Sequence, residues 1–317
     1  MTANEPQPTD AATTLAELLR NHRGGTGGSR YGMVVQGGGM RGVYSMGALT
    51  ALEDAGLRTA FDVVVGSSAG AVNGAYFLAG QAHEAVAIYV DHLSDKRFIN
   101  PLRPWRVVDI DYMVDDVMKR AVALRVDALR SSPTLLEIVL TDAGTAKAAA
   151  VTNRDAELDM YEVIRATAAL PGLYNRRVRV ADRLYVDGGV ADSLPVGRAL
   201  DHGVSHLLAL LTRVRGFRQR DHGPLLRAAT RVATIGQSGA VRDVVGRPDT
   251  RFNAAADALE RPDALLPGVT TWSVWPSDAQ LLAGRTTSDK RRLRASAEMG
   301  RRDMFAVLDR HLEAPRG

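Results

Sequence analysis

The stretch MVVQGGGMRGVYSMGALTAL, Met33 to Leu52, decides the fold. A valine-rich apolar run enters a cluster of glycines and leaves through helix formers, the pattern of a strand, a tight loop and a helix N-terminus. Gly37, Gly39 and Gly42 fit G-x-G-x-x-G, which in dinucleotide-binding folds lets the backbone approach a pyrophosphate. The same crowd of backbone N–H groups could instead hold the oxyanion of a reacting ester. The next strand and its C-terminal end discriminate the two.

A dinucleotide site needs an acidic residue about 20 positions on, at the C-terminal end of the second strand. Asp62 has that spacing, but it opens the strand FDVVV and so lies at the wrong end. At the correct end stands Gly66-Ser67-Ser68-Ala69-Gly70, a G-x-S-x-G pentapeptide between a β-branched strand and a helix. In that setting the small flanking residues Gly66 and Gly70 permit a sharp turn that exposes Ser68 at a helix N-terminus, where negative charge is favoured. Ser68 is therefore the candidate nucleophile. Two adjacent parallel strands would bring the loop Gly37, Gly38, Gly39, Met40, Arg41, Gly42 beside it as the oxyanion hole. Pre-aimed donors of this kind are each worth about 3 to 4 kcal/mol in the transition state. Arg41 adds a fixed positive charge that orients the loop or meets a phosphate.

A base is also required. His83, His92, His202, His206, His222 and His311 follow the elbow, yet none sits in a glycine-flanked loop after a strand. The segment YVDGGVADSLP does better: Asp187 ends a short strand, and Gly188 and Gly189 allow a close turn against the sheet. A carboxylate with its ordinary pKa near 4 is a weak base, so its proton transfer must be coupled to attack and to a strong oxyanion hole. Asp192 is expected to cap the helix beginning SLPVGRAL, and Tyr31 and Met33 are expected in the core.

Outward from these motifs, strand-like runs (YGMVVQ, FDVVVG, LLEIVLTD, KAAAVT, LYVDGG, HLLALLT, TTWSVWP) alternate with helical patterns. That alternation predicts a mostly parallel sheet with helices on both faces. Residues 1–30 read as a flexible leader with a short helix from Thr13 to Arg20, and 31–317 as a single domain. Within it, 213–264 is an Arg-rich helical insertion or lid, and 288–312 a C-terminal helix. The chain is 45% hydrophobic and 24% charged, as in ordinary globular proteins. It has no cysteine, which excludes disulfides, thiolate metal sites and a cysteine nucleophile. No run reaches the roughly 18 apolar residues of a membrane span, and the N-terminus lacks signal-peptide features, so a cytoplasmic location is expected. Of 40 basic residues only Lys96, Lys119, Lys147 and Lys290 are lysine; the arginine excess suits an anionic surface such as lipid headgroups or nucleic acid and is equally what genome composition alone would give, and no nucleic-acid partner is expected.

Gly37 to Gly42, Gly66 to Gly70 and Asp187-Gly188-Gly189, in that order and spacing, resemble the patatin-like phospholipase family, with the bacterial cytoplasmic branch nearest. RATAALPGLYN, Arg165 to Asn175, looks like the family's approach to its aspartate strand, and the resemblance covers about Tyr31 to Thr212. It implies a three-layer α/β/α sandwich and a Ser68–Asp187 dyad, with Gly38, Gly39 and Arg41 serving the oxyanion. It further implies hydrolysis of lipid acyl esters through an acyl-enzyme, without metal or cofactor. Two rivals make separate predictions: a nucleotide-binding protein using Gly37 to Gly42, and a non-catalytic membrane-surface module built on 213–264.

Overall fold

The computed structural model of the protein describes residues 14–22, 28–104, 106–220, 223–245, 247 and 249–310. Its strands are β1 (Tyr31–Val35), β2 (Val63–Ser67), β3 (Leu135–Asp142), β4 (Ala148–Thr152), β5 (Val178–Val180), β6 (Arg183–Asp187), β7 (His206–Leu210) and β8 (Thr270–Val274). The first half of the chain supplies helices α1 (Leu15–Asn21), α2 (Gly42–Asp54), α3 (Ala69–Leu78), α4 (Ala82–Ala87), α5 (Val126–Arg130) and α6 (Met160–Thr167). The second half supplies α7 (Val196–Asp201), α8 (Gly223–Ala233), α9 (Gly239–Val244), α10 (Thr250–Glu260), α11 (Pro262–Leu265) and α12 (Lys290–Leu308). Two π-helical segments, Ile88–His92 and Tyr112–Ala121, and two 3-10 turns, Gly39–Arg41 and Gly188–Val190, add to these among the described residues.

The parallel part of the sheet runs β3, β2, β1, β7, β8, and each crossover carries helix, as parallel pairing requires. Side chains alternate between faces with the pleat. In β1, Met33 and Val35 join the core under α2, α3 and α12, whereas Val34 joins a second core with Phe252, Ala256 and Leu259 of α10 and Val196 and Ala199 of α7. Leu208 and Leu210 of β7 face the first core and Leu207 and Ala209 the second. Two helical layers therefore cover one sheet, the α/β/α sandwich expected from the sequence. Tyr31 and Met33 are buried, as expected of core residues.

Strand β3 is also the ruler of the site. Glu137 to Val139 pair with β2 on one edge and with β4 on the other. Because β4 keeps its edge through Thr141, β6 pairs on the edge that β2 has left: Val139 lies opposite Ser67 of β2 and Leu140 opposite Asp187 of β6. The ends of β2 and β6 thus meet along one backbone.

Some elements differ from the sequence expectation. Part of the expected leader is packed structure: α1 is closed by a Thr14–Glu17 capping box and buries Leu15, Ala16 and Leu19 on the core. Residues 1–13 and 23–27 lie outside the described residues. Strand β5 has three residues, two of them apolar, and is too short to leave a periodic signal. Residues 213–264 are helical from Gly223 on, and α10, together with Val241 of α9, joins the buried clusters, while Leu225, Val232 and Ile235 on and just after α8 stay exposed. Among the described residues no helix is long and apolar enough to cross a membrane.

Candidate active site

Ser68 sits between β2 and α3 with φ 56° and ψ −130°, a strained conformation for a residue with a side chain. The fold enforces it. A Cβ on Gly70 would collide with the Val35 carbonyl, and one on Gly66 would come within 2.7 Å of the Ala71 nitrogen, so the elbow closes only with glycines there. The Ser68 N–H donates to Thr167 Oγ1 at 2.9 Å, and that hydroxyl donates in turn to the Val139 carbonyl at 2.7 Å. Thr167 thereby ties the elbow to β3. Nothing local in RATAALPG marks this role beyond the segment's resemblance to the aspartate approach.

Asp187 stands at the end of β6, 3% exposed, and its Oδ2 accepts the Ser68 Oγ–H at 2.7 Å. Its Oδ1 accepts the Gly189 N–H at 2.7 Å, and its carbonyl accepts Thr141 Oγ1 at 2.8 Å. Gly188 packs on the Val139 carbonyl too closely for any side chain. Burial raises the Asp187 carboxyl to about 6, against the opposing pull of the Ser68 hydroxyl, the Gly189 N–H and the Arg285 charge. A carboxylate raised into this range is a better proton acceptor at neutral pH than an ordinary aspartate.

The glycine loop leaves β1 beside this pair. The Thr212 hydroxyl donates to the Gly37 carbonyl at 2.7 Å, and Gln36 Oε1 accepts the Thr212 N–H at 2.7 Å, fixing the loop to the end of β7. Gly39 has φ +59°, and a Cβ there would lie 2.7 Å from the Arg285 carbonyl. The N–H groups of Gly38 and Gly39 have no hydrogen-bond acceptor among the described residues. Met40 differs from expectation: its N–H donates to the Arg285 carbonyl at 3.0 Å, because the chain has begun a 3-10 turn that docks on residues far along the sequence. Met40 contributes instead an apolar wall. Gly42 starts α2, and its carbonyl accepts from Asn73, which Tyr89 also holds.

Two cavities open from the Ser68–Asp187 pair. One is apolar and lined by residues such as Met40, Val72, Ile88, Phe98, Leu170 and Leu173. Its wall at Tyr174 is pinned by the Tyr174 hydroxyl on Asp111, which also receives Arg165, Arg106 and Arg176. The other is polar and carries Arg41, Arg213 and Arg285. Burial, then the charges of Arg213 and Arg285, lower the Arg41 guanidinium to about 9.

Other sequence candidates lie elsewhere. Asp62 accepts the Tyr31 N–H at 2.7 Å at the far end of the sheet, away from the glycine loop. His83 pairs with Asp54 and His202 with Glu137, His206 stacks on Tyr31, and His222 and His311 lie outside the described residues. Asp192 does not cap a helix: α7 begins at Val196 with Pro195 in the cap position and no side-chain cap. Among the described residues no group of three His, Asp or Glu side chains is placed to hold a metal ion.

A three-layer sandwich with a serine elbow, a glycine loop and an aspartate turn on one sheet edge is the arrangement of a patatin-type fold. The patatin-like phospholipase family pattern matches residues 33–200, and the chain belongs to that family. It is 29% identical over 195 residues to the uncharacterized protein YjjU of Escherichia coli K12, covering 58% of this chain and 52% of YjjU. The chain thus spans about half the length of the curated relative it matches. Among solved structures it is similar to VipD from Legionella pneumophila, with a TM-score of 0.49 and 14% identity over 89% of this chain and 67% of VipD. The type III effector protein ExoU gives a TM-score of 0.39 at 14% identity, over 89% of this chain and 54% of ExoU.

Proposed function

We propose that the protein is a serine acyl-ester hydrolase acting on lipid esters through an acyl-enzyme. The observation that carries this reading is the 2.7 Å contact of Ser68 Oγ with the buried Asp187 carboxylate, beside the free N–H groups of Gly38 and Gly39. Asp187 takes the Ser68 proton as Oγ attacks the ester carbonyl. The developing oxyanion receives the Gly38 and Gly39 N–H groups, with the Arg41 charge behind the loop, each donor worth about 3 kcal/mol. Asp187 then passes its proton to the departing alcohol, and later activates the water that releases the acyl group. The apolar cavity takes the acyl chain. Residues 31–317 act as one hydrolase unit in this reading.

The α8 segment bears on how a lipid reaches the site. Leu225, Ala229 and Val232 fall one turn apart on an exposed face with Arg231 alongside, and Ile235 continues it. The Ile235 carbonyl accepts from Asn175 at 2.6 Å, next to Leu173 and Tyr174 of the cavity wall. This face docks on an anionic membrane, and within 213–264 the exposed α8 is the movable cover of the site.

A fluorophosphonate probe followed by mass spectrometry of the labelled peptide tests the chemistry. Labelling at Ser68, lost in Ser68→Ala along with ester hydrolysis, is expected; a folded, unlabelled protein would remove the nucleophile. Co-sedimentation with phosphatidylglycerol vesicles tests the docking, which should weaken severalfold in Leu225→Asp/Val232→Asp and resist change in Ser68→Ala.

A further inference from the structure

Strand β8 is an open edge of the sheet, paired with β7 alone. Its Thr270 N–H donates to the Ser205 carbonyl at 2.9 Å and its Val274 carbonyl accepts the Leu211 N–H at 3.0 Å, so Thr270, Trp272 and Val274 turn their backbone groups toward β7. By the alternation of a strand, Thr271 and Ser273 turn theirs outward, and among the described residues these N–H groups and carbonyls have no hydrogen-bond partner. The usual guards of an edge are missing: Thr270 to Val274 holds no charge and no proline, and its register with β7 contains no bulge. Nor does a helix lie across it. Helix α12 is packed on α2, so closely that a Cβ on Gly47 or Gly300 would strike the backbone of the other helix. A groove therefore runs along β8, with Leu259, Glu260 and Pro262 on one side and Asp303, Val307 and Arg310 on the other.

The side chains and the groove walls name the occupant. Ser273 Oγ is buried without a hydrogen-bond partner, a costly state for a hydroxyl unless a partner arrives, and Thr271 lies two residues away on the same face of the strand. On a second β8 running antiparallel about a two-fold axis at Trp272, Thr271 falls opposite Ser273, and Ser273 opposite Thr271. All four are outward-facing, so each pair exchanges two backbone hydrogen bonds and its hydroxyls meet as a cross-strand Thr–Ser pair. The walls are complementary in the same arrangement. Asp303 accepts the Ser277 N–H just past the end of β8, whereas Arg310, two turns further on and in the same groove, has no ion-pair partner among the described residues. A two-fold axis reverses that order, bringing Arg310 of each copy toward Asp303 of the other. We propose that β8 pairs with β8 of a second copy of this chain, giving a two-fold dimer whose sheet runs unbroken through Thr271 and Ser273 of both copies.

Analytical ultracentrifugation of the full-length chain tests this, and a dimer is expected at about 10 μM. Ser273→Pro deletes an outward N–H without touching a bond to β7, and symmetry counts the loss twice, so the dimer should weaken about tenfold or more. Arg310→Glu, at the surface, should weaken it severalfold. The chain has no cysteine, so Thr271→Cys and Ser273→Cys can be introduced singly. Mild oxidation of the two variants mixed should give a disulfide-linked dimer that neither gives alone, because only positions 271 and 273 face each other across the axis. Circular dichroism checks the fold of Ser273→Pro, and the cross-link reads the same pairing if that variant does not fold. A wild type still monomeric at about 100 μM overturns the proposal. So does a dimer indifferent to both Ser273→Pro and Arg310→Glu, which would put the contact on another face, and so does cross-linking of Ser273→Cys with itself in place of the mixed pair.

Discussion

Asp187→Asn should inactivate the enzyme and stabilise the fold at the same time. The Asp187 carboxyl is raised from 3.8 to about 6 by burial, so above that range the folded protein holds a carboxylate that the unfolded chain would solvate better. The gap of roughly two pKa units corresponds to about 3 kcal/mol of folding free energy. The amide keeps the volume, accepts from Gly189 through its oxygen and donates to Ser68 through its nitrogen, so the main change is removal of the buried charge. The sign of the pH dependence is then fixed. Native Asp187 binds a proton in the window between about 4 and 6 where the unfolded group has lost it, so wild-type stability falls as pH rises through that window. The advantage of Asp187→Asn is full above pH 6 and vanishes below about 4. For a chain of 317 residues it amounts to a rise in Tm of about 4 to 5 °C at pH 8. Urea unfolding of both proteins at pH 8 and pH 4.5 measures it. A variant less stable than wild type at pH 8, or an advantage that persists unchanged at pH 4.5, would refute the account of Asp187 as a buried, destabilising charge.

Hydrolysis should depend on the same group in the opposite sense: kcat/KM rises about tenfold per pH unit up to about 6 and is level above it, as a steady-state pH profile would register. Thr167→Val removes the acceptor of the Ser68 N–H and should cost about 1 to 3 kcal/mol in denaturant unfolding, with a lower kcat from a looser elbow. Gly39→Ala forces a side chain into φ +59° against the Arg285 carbonyl and should lower kcat about 100-fold by displacing a free N–H, while circular dichroism stays native. Val72→Phe narrows the apolar cavity and should shift preference toward shorter acyl esters in a chain-length series, leaving fluorophosphonate labelling intact.

The parts of the site written in local backbone demands were legible. A serine between two glycines, after a valine strand and before a helix, has few other conformations to adopt, and Asp187 before two glycines announces a turn at a strand end. The alternation of strands and helices likewise led to the layered sheet, because parallel pairing needs crossovers. What escaped depends on distant partners. Thr167 acts through Val139 and Ser68, and no spacing marks it. The Met40 N–H looked free because its acceptor, the Arg285 carbonyl, belongs to a loop without a motif. The convergence of Arg213 and Arg285 on Arg41 was invisible for the same reason, among so many arginines. Helix α1 was read as leader because its burial of Leu15 and Leu19 is decided by the surface it meets rather than by its own polar flanks.

The two chemical groups are 119 positions apart in the chain, yet they meet because Val139 and Leu140 of β3 are consecutive residues of one strand. Their separation is therefore set by a single peptide step, and the length of the intervening chain is free to drift. Segments can be gained or lost in the loops between β4 and α6, or around α5, without resetting the distance between serine and aspartate. A slip of β6 by one residue along β3 would instead turn Asp187 to the opposite face of the sheet and silence the site in one move. Insertion is cheap in this architecture and misregistration is not, which makes the pairing of β6 the point where the evolutionary history of such a chain is most constrained.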